Sequence, residues 1–345
     1  MGVSLGFHII FAAVGIAMPL MMALAESQWL KTKRPEYLRL AKMWAKGTSI
    51  FFAVGAVSGT VLSFELGLLF PEFMKKSGAL IGLPFALEGF AFFTEAIFLG
   101  IYLYGWEKVS PRAHVAAGYV VALSGLLSAV FVTLVNAWMN APVGFSFHDG
   151  KFTDIDPARV FFSPFAFIEV VHSISAAYLA VAAIVAGIHA WALTREKTAF
   201  HLAALKISLW ILIPAALIQP LSGHFAGQNV AKYQPLKFAV MEGVEKTESH
   251  VPFEIGPVQI PGLLSWLATG DTQAEVKGRD AFPQEDWPVP FVRYCFVFMV
   301  ACGLLLVAVA LWSVVALRKD RFSESLLKAL IVVSPLGLLA LEAGW

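Results

Sequence analysis

Residues 83–106 read LPFALEGFAFFTEAIFLGIYLYGW, and the fold turns on what this stretch is. Its only charged residues are Glu88 and Glu95; the rest are apolar, aromatic or small. A run of this length crosses the ~30 Å hydrocarbon layer of a bilayer as a helix, at about 1.5 Å per residue. Carboxylates are expensive in such a helix, so they mark a bundle interior and a task to perform there.

Similar runs flank it. Apolar segments are expected at 2–25, 47–70, 81–106, 114–138, 165–193, 203–221, 290–317 and 326–345. The composition agrees, with 345 residues that are 58% hydrophobic and only 14% charged and a mean hydropathy of +0.73. A soluble domain carries about 25% charged residues. The expected fold is all-α, a polytopic transmembrane bundle of about eight helices with a long extracytoplasmic loop. Residues 1–221 would hold helices one to six, 222–289 the long polar loop, and 290–345 the last two helices. A shorter polar loop, MNAPVGFSFHDGKFTDIDPARVFFSP, fills 139–164. The sequence shows no internal repeat and no second soluble domain.

Other classes are disfavoured. A net charge of +1 gives no reason to expect nucleic acid or an acidic partner. Cys295 and Cys302 stand seven apart in one apolar run, too far along a helix for a disulfide. The first apolar run is too long, and lacks the basic start, for a cleavable signal peptide.

Lys and Arg set the orientation. Fifteen lie in the connections after the odd-numbered segments, from Lys31 to Lys46, at Lys108 and Arg112, from Arg195 to Lys206, and from Arg318 to Lys328. The short connections on the other side hold four: Lys75, Lys76, Lys151 and Arg159. The positive-inside rule then places the N-terminus and the long loop outside.

With that topology, His8, Glu88, His172 and Met299 fall in one layer, roughly 10 to 14 Å below the outer surface at about 1.5 Å per residue. Glu95 lies nearer the middle. Each residue alone has an ordinary explanation: an interhelical hydrogen bond for a histidine, filler for a methionine, a structural pair for a carboxylate. Together, two histidines and a methionine on separate helices are the ligand types that hold haem iron. A His/Met pair suits an electron-transfer haem, and a histidine with an open opposite side suits one that binds gas. Glu88 and Glu95, two helical turns apart on one face, suit proton delivery to such a site.

The motifs GFHIIF at 6–11, LPFALEGFAFFTEAIFLGIYLYGW at 83–106 and NAWMNAPVGF at 136–145 give the chain a family likeness. So do VVHSISAAYLA at 170–180, GHFAGQNVAKYQPLKFAVMEG at 223–243, FMVACG at 298–303 and LEAGW at 341–345. In order, and across essentially the whole chain, it resembles subunit I of cytochrome bd-type quinol oxidases, in particular the cyanide-insensitive branch. The resemblance implies that His8 ligates a high-spin haem at the oxygen-reducing centre. It implies that His172 and Met299 form the axial pair of a low-spin haem b, with Trp345 a further cofactor-binding residue. Glu88 and Glu95 become catalytic proton carriers, and Lys237, Glu242 and Gln234 quinol-binding residues of the outer loop. The implied cofactors are a low-spin haem b, a high-spin haem b, and haem d or a further haem b. The implied partners are a second membrane subunit, a small accessory subunit, ubiquinol or menaquinol, oxygen and membrane lipid, in the bacterial cytoplasmic membrane.

The sequence departs from the family pattern in places. The glutamate ligand and GRQPW block that follow LEAGW in the family lie beyond Trp345, and Met1 stands almost at the first motif, so a truncated chain is expected. Val297 occupies a position where many members have arginine. Two other functions compete: a haem b membrane protein that only carries electrons, needing His172 and Met299 alone, and a proton-coupled transporter. The paired broken helices common in transporters are not apparent.

Overall fold

The helices mostly begin where the sequence supplies proline or a capping hydroxyl. In a computed structural model, which describes residues 1–255 and 258–345, they are α1 (Gly2–Thr32), α2 (Pro35–Leu69), α3 (Pro71–Tyr104), α4 (Pro111–Asn140), α5 (Ala166–Arg195) and α6 (Ala199–Tyr233). The short α7 (Pro235–Glu242) and α8 (Leu263–Thr269) follow, then α9 (Phe291–Lys319), α10 (Glu324–Val333) and α11 (Leu336–Gly344). Proline opens α2, α3, α4 and α7, where its missing N–H costs nothing and its fixed φ suits the first turn. Ser110, Thr198 and Ser323 accept hydrogen bonds from the N–H groups of Ala113, His201 and Leu326 at the starts of α4, α6 and α10. Gly243 closes α7 at φ 76°, a left-handed turn that glycine adopts without strain.

Among the described residues, eight spans are long and apolar enough to cross a membrane. The eighth is a pair, α10 and α11, broken at Ser334–Pro335. α6 runs on to Tyr233, past the expected end of its segment at 221. His224, Gln228 and Asn229 are polar yet helix-compatible, and the stop comes at Gln234, the residue before Pro235.

α1 packs on α2, α4 and α5, and α3 packs on α4. α5 packs on α6, α10 and α11, while α9 lies against α6 and α11. Small residues line the central contacts, among them Ala13 and Ala17 of α1 and Ala180 and Ala186 of α5, all buried. Such residues let backbones approach closely where lipid offers no hydrophobic drive between helices. Over half of the most apolar stretch of α5 and of α6 is buried, against 6% of that of α2. The outer face of α2 is therefore presented to lipid or to another chain.

The fold contains a repeat that the sequence reading does not find. Hairpin α1–α2 joins helices of 31 and 35 residues, and hairpin α5–α6 joins helices of 30 and 35. One offset, 164 residues, carries the starts of both helices, His8 to His172, and Ser58-Gly59 to Ser222-Gly223. The shared residues are too few for periodicity to show in the sequence.

Two small caps sit at the His8 end of the bundle. A ribbon of Ser146–His148 with Lys151–Thr153 covers Leu80, Trp138 and Val160. The long loop folds α7, α8 and short antiparallel pairs around Phe238, Val244, Val251 and Leu264.

Candidate functional site

His8 is the seventh residue of α1, and its ring turns toward α2. Its Nδ1 lies 2.9 Å from the Oγ of Ser58. A Cβ placed on Gly59 would stand 3.0 Å from His8 Cε1, so the glycine is what lets the imidazole lie against α2. His172, seventh in α5, has the same surroundings on α6. Its Nδ1 is 2.9 Å from Ser222 Oγ, and a Cβ on Gly223 would reach 3.3 Å from Cε1. Gln219 adds a bond to this second hairpin, its Nε2 donating to the His172 carbonyl at 3.1 Å. Both Nδ1 atoms are engaged, which leaves Nε2 of each ring as the nitrogen available to a metal.

The carboxylates of α3 face α4 and α1. Ser128 donates to Glu88 Oε1 at 3.0 Å. Glu95, buried, lies where a Cβ on Gly125 of α4 would come within 3.2 Å of its Oε1. A Cβ on Gly15 of α1, seven residues on from His8, would reach the same oxygen at 4.0 Å. The two acids thus run along α3 beside the helix that carries His8.

Met299 of α9 turns toward α11, where a Cβ on Gly344 would sit 2.9 Å from its Sδ. Trp345, just beyond α11, is 45% exposed. Two imidazole nitrogens and a thioether, each backed by a glycine, form a donor set that suits haem iron.

The outer loop gives Lys237 and Glu242 separate charge partners. Lys237 and Glu242 stand five apart on α7 and do not face each other. Glu242 meets Arg293 of α9, whose guanidinium lies against the Gly243 turn. Burial pushes the Glu242 carboxyl up to about 7, with Arg293 opposing the rise. Lys237 acts instead on Glu169 of α5. Gln234 donates to the Asn140 side-chain oxygen at 3.0 Å, and Asn140 donates to Glu169 at 3.1 Å. Gln234, Asn140 and Glu169 therefore form one chain of hydrogen bonds between α7, α4 and α5, with the Lys237 charge nearby.

Several of these residues escape a sequence reading. Ser58, Ser222 and Ser128 are common helix residues, and only a long-range contact distinguishes them. Asn140, Glu169 and Arg293 stand at helix ends, where polar residues are ordinary. A separate buried pair, Glu26 with His114 (Oε1 to Nδ1, 2.8 Å), ties α1 to α4 at the other end of the bundle. Glu342 of α11 is also unassigned, with a buried Oε1 that has no partner among the described residues.

Comparison with known proteins gives a consistent answer. The family described as cytochrome bd terminal oxidase subunit I matches residues 1–345. The chain is 38% identical to the putative cytochrome bd menaquinol oxidase subunit I of Bacillus subtilis (strain 168), across 100% of this chain and 82% of that one. It is 28% identical to the cytochrome bd ubiquinol oxidase subunit 1 of the same organism, across 98% and 78%. Among solved structures, the bd oxidase from Geobacillus thermodenitrificans matches with a TM-score of 0.91 and 35% identity, covering 100% of this chain and 83% of that one. Eight spans in a helical bundle, nitrogen and thioether donors held against glycines, and a match from first residue to last lead to one assignment: the chain belongs to the cytochrome bd terminal oxidase subunit I family.

Proposed function

We propose that this chain is the haem-bearing subunit of a terminal quinol oxidase, with His8, His172 and Met299 as its iron ligands and Glu88 and Glu95 as its proton carriers. Membership of the family makes it an oxidase subunit with haem cofactors and a second subunit as partner. In our reading, His172 and Met299 hold a low-spin haem b, His8 holds a high-spin haem, and a third haem, d or b, completes the oxygen site. Trp345 lines this region. When bound, the haems carry electrons from quinol to oxygen. The rest is the work of side chains.

Quinol oxidation frees two protons, so an acceptor and a hydrogen-bond donor must stand by the ring. Glu242, held near neutrality by burial against Arg293, supplies the acceptor at the outer loop. Lys237 and Gln234, with Asn140 and Glu169 behind them, supply donors. Relatives are named for menaquinol and for ubiquinol, so the substrate class is a quinol. With this loop outside, the released protons leave there. Glu95 and Glu88 would pass protons from the cytoplasmic side along α3 toward the oxygen site. The second subunit, an accessory subunit and lipid would cover exposed faces such as that of α2.

The observation that carries this reading is the pair of imidazoles, each tied at Nδ1 to a serine and left with Nε2 for iron. The test is a reduced-minus-oxidised spectrum of the purified complex, with and without carbon monoxide. His172→Ala should abolish the low-spin b signal, and His8→Ala the carbon monoxide response. A His172→Ala protein that keeps its low-spin signal would refute the ligand assignment. In Glu95→Gln both signals should remain while turnover falls by about 100-fold, the loss expected for a proton-transfer group.

A further inference from the structure

Ser58 and Ser222 each have one hydroxyl hydrogen to give. Ser58 Oγ lies 2.9 Å from the carbonyl oxygen of Val54 and 3.1 Å from that of Gly55, both on its own helix. Ser222 Oγ lies 3.2 Å from the Gln219 carbonyl. A carbonyl only accepts, so these contacts are made with each serine donating its hydrogen back to its own helix. The lone pairs that remain can only accept. With the hydroxyl hydrogen on the helix carbonyl, the imidazole 2.9 Å away is the donor and its hydrogen sits on Nδ1.

The arrangement occurs twice, at matching places. His8 and His172 are each seventh in their helices, and Ser58 and Ser222 each twenty-fourth in theirs. The separation is 50 residues both times. In both hairpins the next residue is a glycine against the ring's Cε1. Both serines are buried, at 9% and 2% exposure, so water does not compete for the hydroxyl. Little else is shared across the 164-residue offset, which sets this serine–glycine pair apart from the helix around it.

We propose that Ser58 and Ser222 are positioning residues that lock His8 and His172 in the Nδ1–H tautomer, with the Nε2 lone pair turned to the metal. This rests on the ligand assignment given above. The serine does more than aim the ring. Donation from Nδ1–H to an acceptor makes the imidazole a stronger base and a firmer ligand, and the loss of such a partner typically weakens metal binding by about 10–100-fold. A firmer ligand stabilises ferric iron, so each serine holds down the potential of its own haem.

The test uses the intact complex and four variants: Ser58→Ala, Ser222→Ala, Ser58→Thr and Ser222→Thr. Ser222→Ala should raise the midpoint potential of the low-spin haem and shift its electron paramagnetic resonance signals, leaving the carbon monoxide response alone. Ser58→Ala should alter the carbon monoxide band and leave the low-spin signals alone. Haem retention through repeated detergent washes should fall by about 10-fold or more at the altered site only. Threonine restores the hydroxyl and should restore each signature. Unchanged spectra and potentials in both alanine variants would overturn the proposal, as would an alanine effect that threonine does not reverse. If His172→Ala keeps the low-spin signal, the ligand assignment itself fails. If His172→Ala loses that signal and Ser222→Ala changes nothing, only the positioning role fails.

Discussion

Glu242 illustrates how a single residue acquires a working proton affinity. Burial raises its carboxyl to about 7, and Arg293 restrains the rise. The carboxylate is the form that accepts a quinol proton, so kcat/KM for quinol should climb with pH through about 7. Arg293→Met removes the restraining charge and leaves the burial. The carboxyl should then rise further, and the acid limb of the pH–rate profile should move to higher pH. A limb that stays put in Arg293→Met would exclude Glu242 as the controlling group. The same shift bears on stability with the opposite sense. A carboxyl raised in the folded state favours folding below about 4.5, and that contribution fades as pH rises through about 7. At this scale the sequence is legible only in part. Glu88, Glu95, His8 and His172 stand out because ionisable groups in apolar helices need a reason to be there. Arg293 does not, because it is remote from Glu242 in the chain and tertiary packing alone brings them together. Nor does the sequence show that Lys237 and Glu242, five residues apart along a helix, turn to different faces and meet different partners.

Helices are plain in the sequence, since a bilayer demands long apolar runs and the sequence has them. Their ends are not, because a helix need not stop at the membrane surface. α6 passes 221 and ends only where Pro235 disfavours helix in the residue before it. The last segment reads as one run yet is α10 and α11, bent at Ser334–Pro335. How closely these elements approach also escapes hydropathy, and Gly337 shows it. A Cβ there would lie 2.7 Å from the Ala180 Cα, a backbone atom of α5 that cannot swing aside. Gly337→Ala should therefore force α11 off α5 and destabilise the complex by about 1–3 kcal/mol. Gly227→Ala on α6 is the control, because nothing lies within 4 Å of its Cβ position and alanine is the better helix former. Thermal melting of both variants in detergent should show a loss for Gly337→Ala and none for Gly227→Ala. Equal melting temperatures would mean that the α5–α11 contact is loose enough to absorb a methyl group.

The whole molecule adds direction to this chemistry. Two hairpins with matched histidines stand side by side, α1–α2 with α3 and α4, and α5–α6 with α9 to α11. Both histidines lie near the same end of the bundle, the end capped by the long loop that holds Lys237 and Glu242. On the proposed assignment electrons have a short way to go, while protons for water would come from the far end, past Glu95. Whether this arrangement charges a membrane depends on which end faces outward, and the lysines and arginines argue that the loop end does. Fifteen against four is a strong bias, and it is counted over connections short enough for the rule to hold. Lys246, exposed in the long loop, and Lys108, exposed between α3 and α4, sit on opposite sides of that proposed topology. Cys295 and Cys302 both belong to α9 and can be replaced by serine to clear the background. In that form, Lys246→Cys should react with an impermeant maleimide on intact spheroplasts, and Lys108→Cys only after the membrane is opened. The reverse pattern would turn both ends over together, with protons released by quinol in the cytoplasm and protons for water drawn from outside. Oxygen reduction by this chain would then build a gradient of the opposite sign, which would overturn the orientation argued from the lysines and arginines.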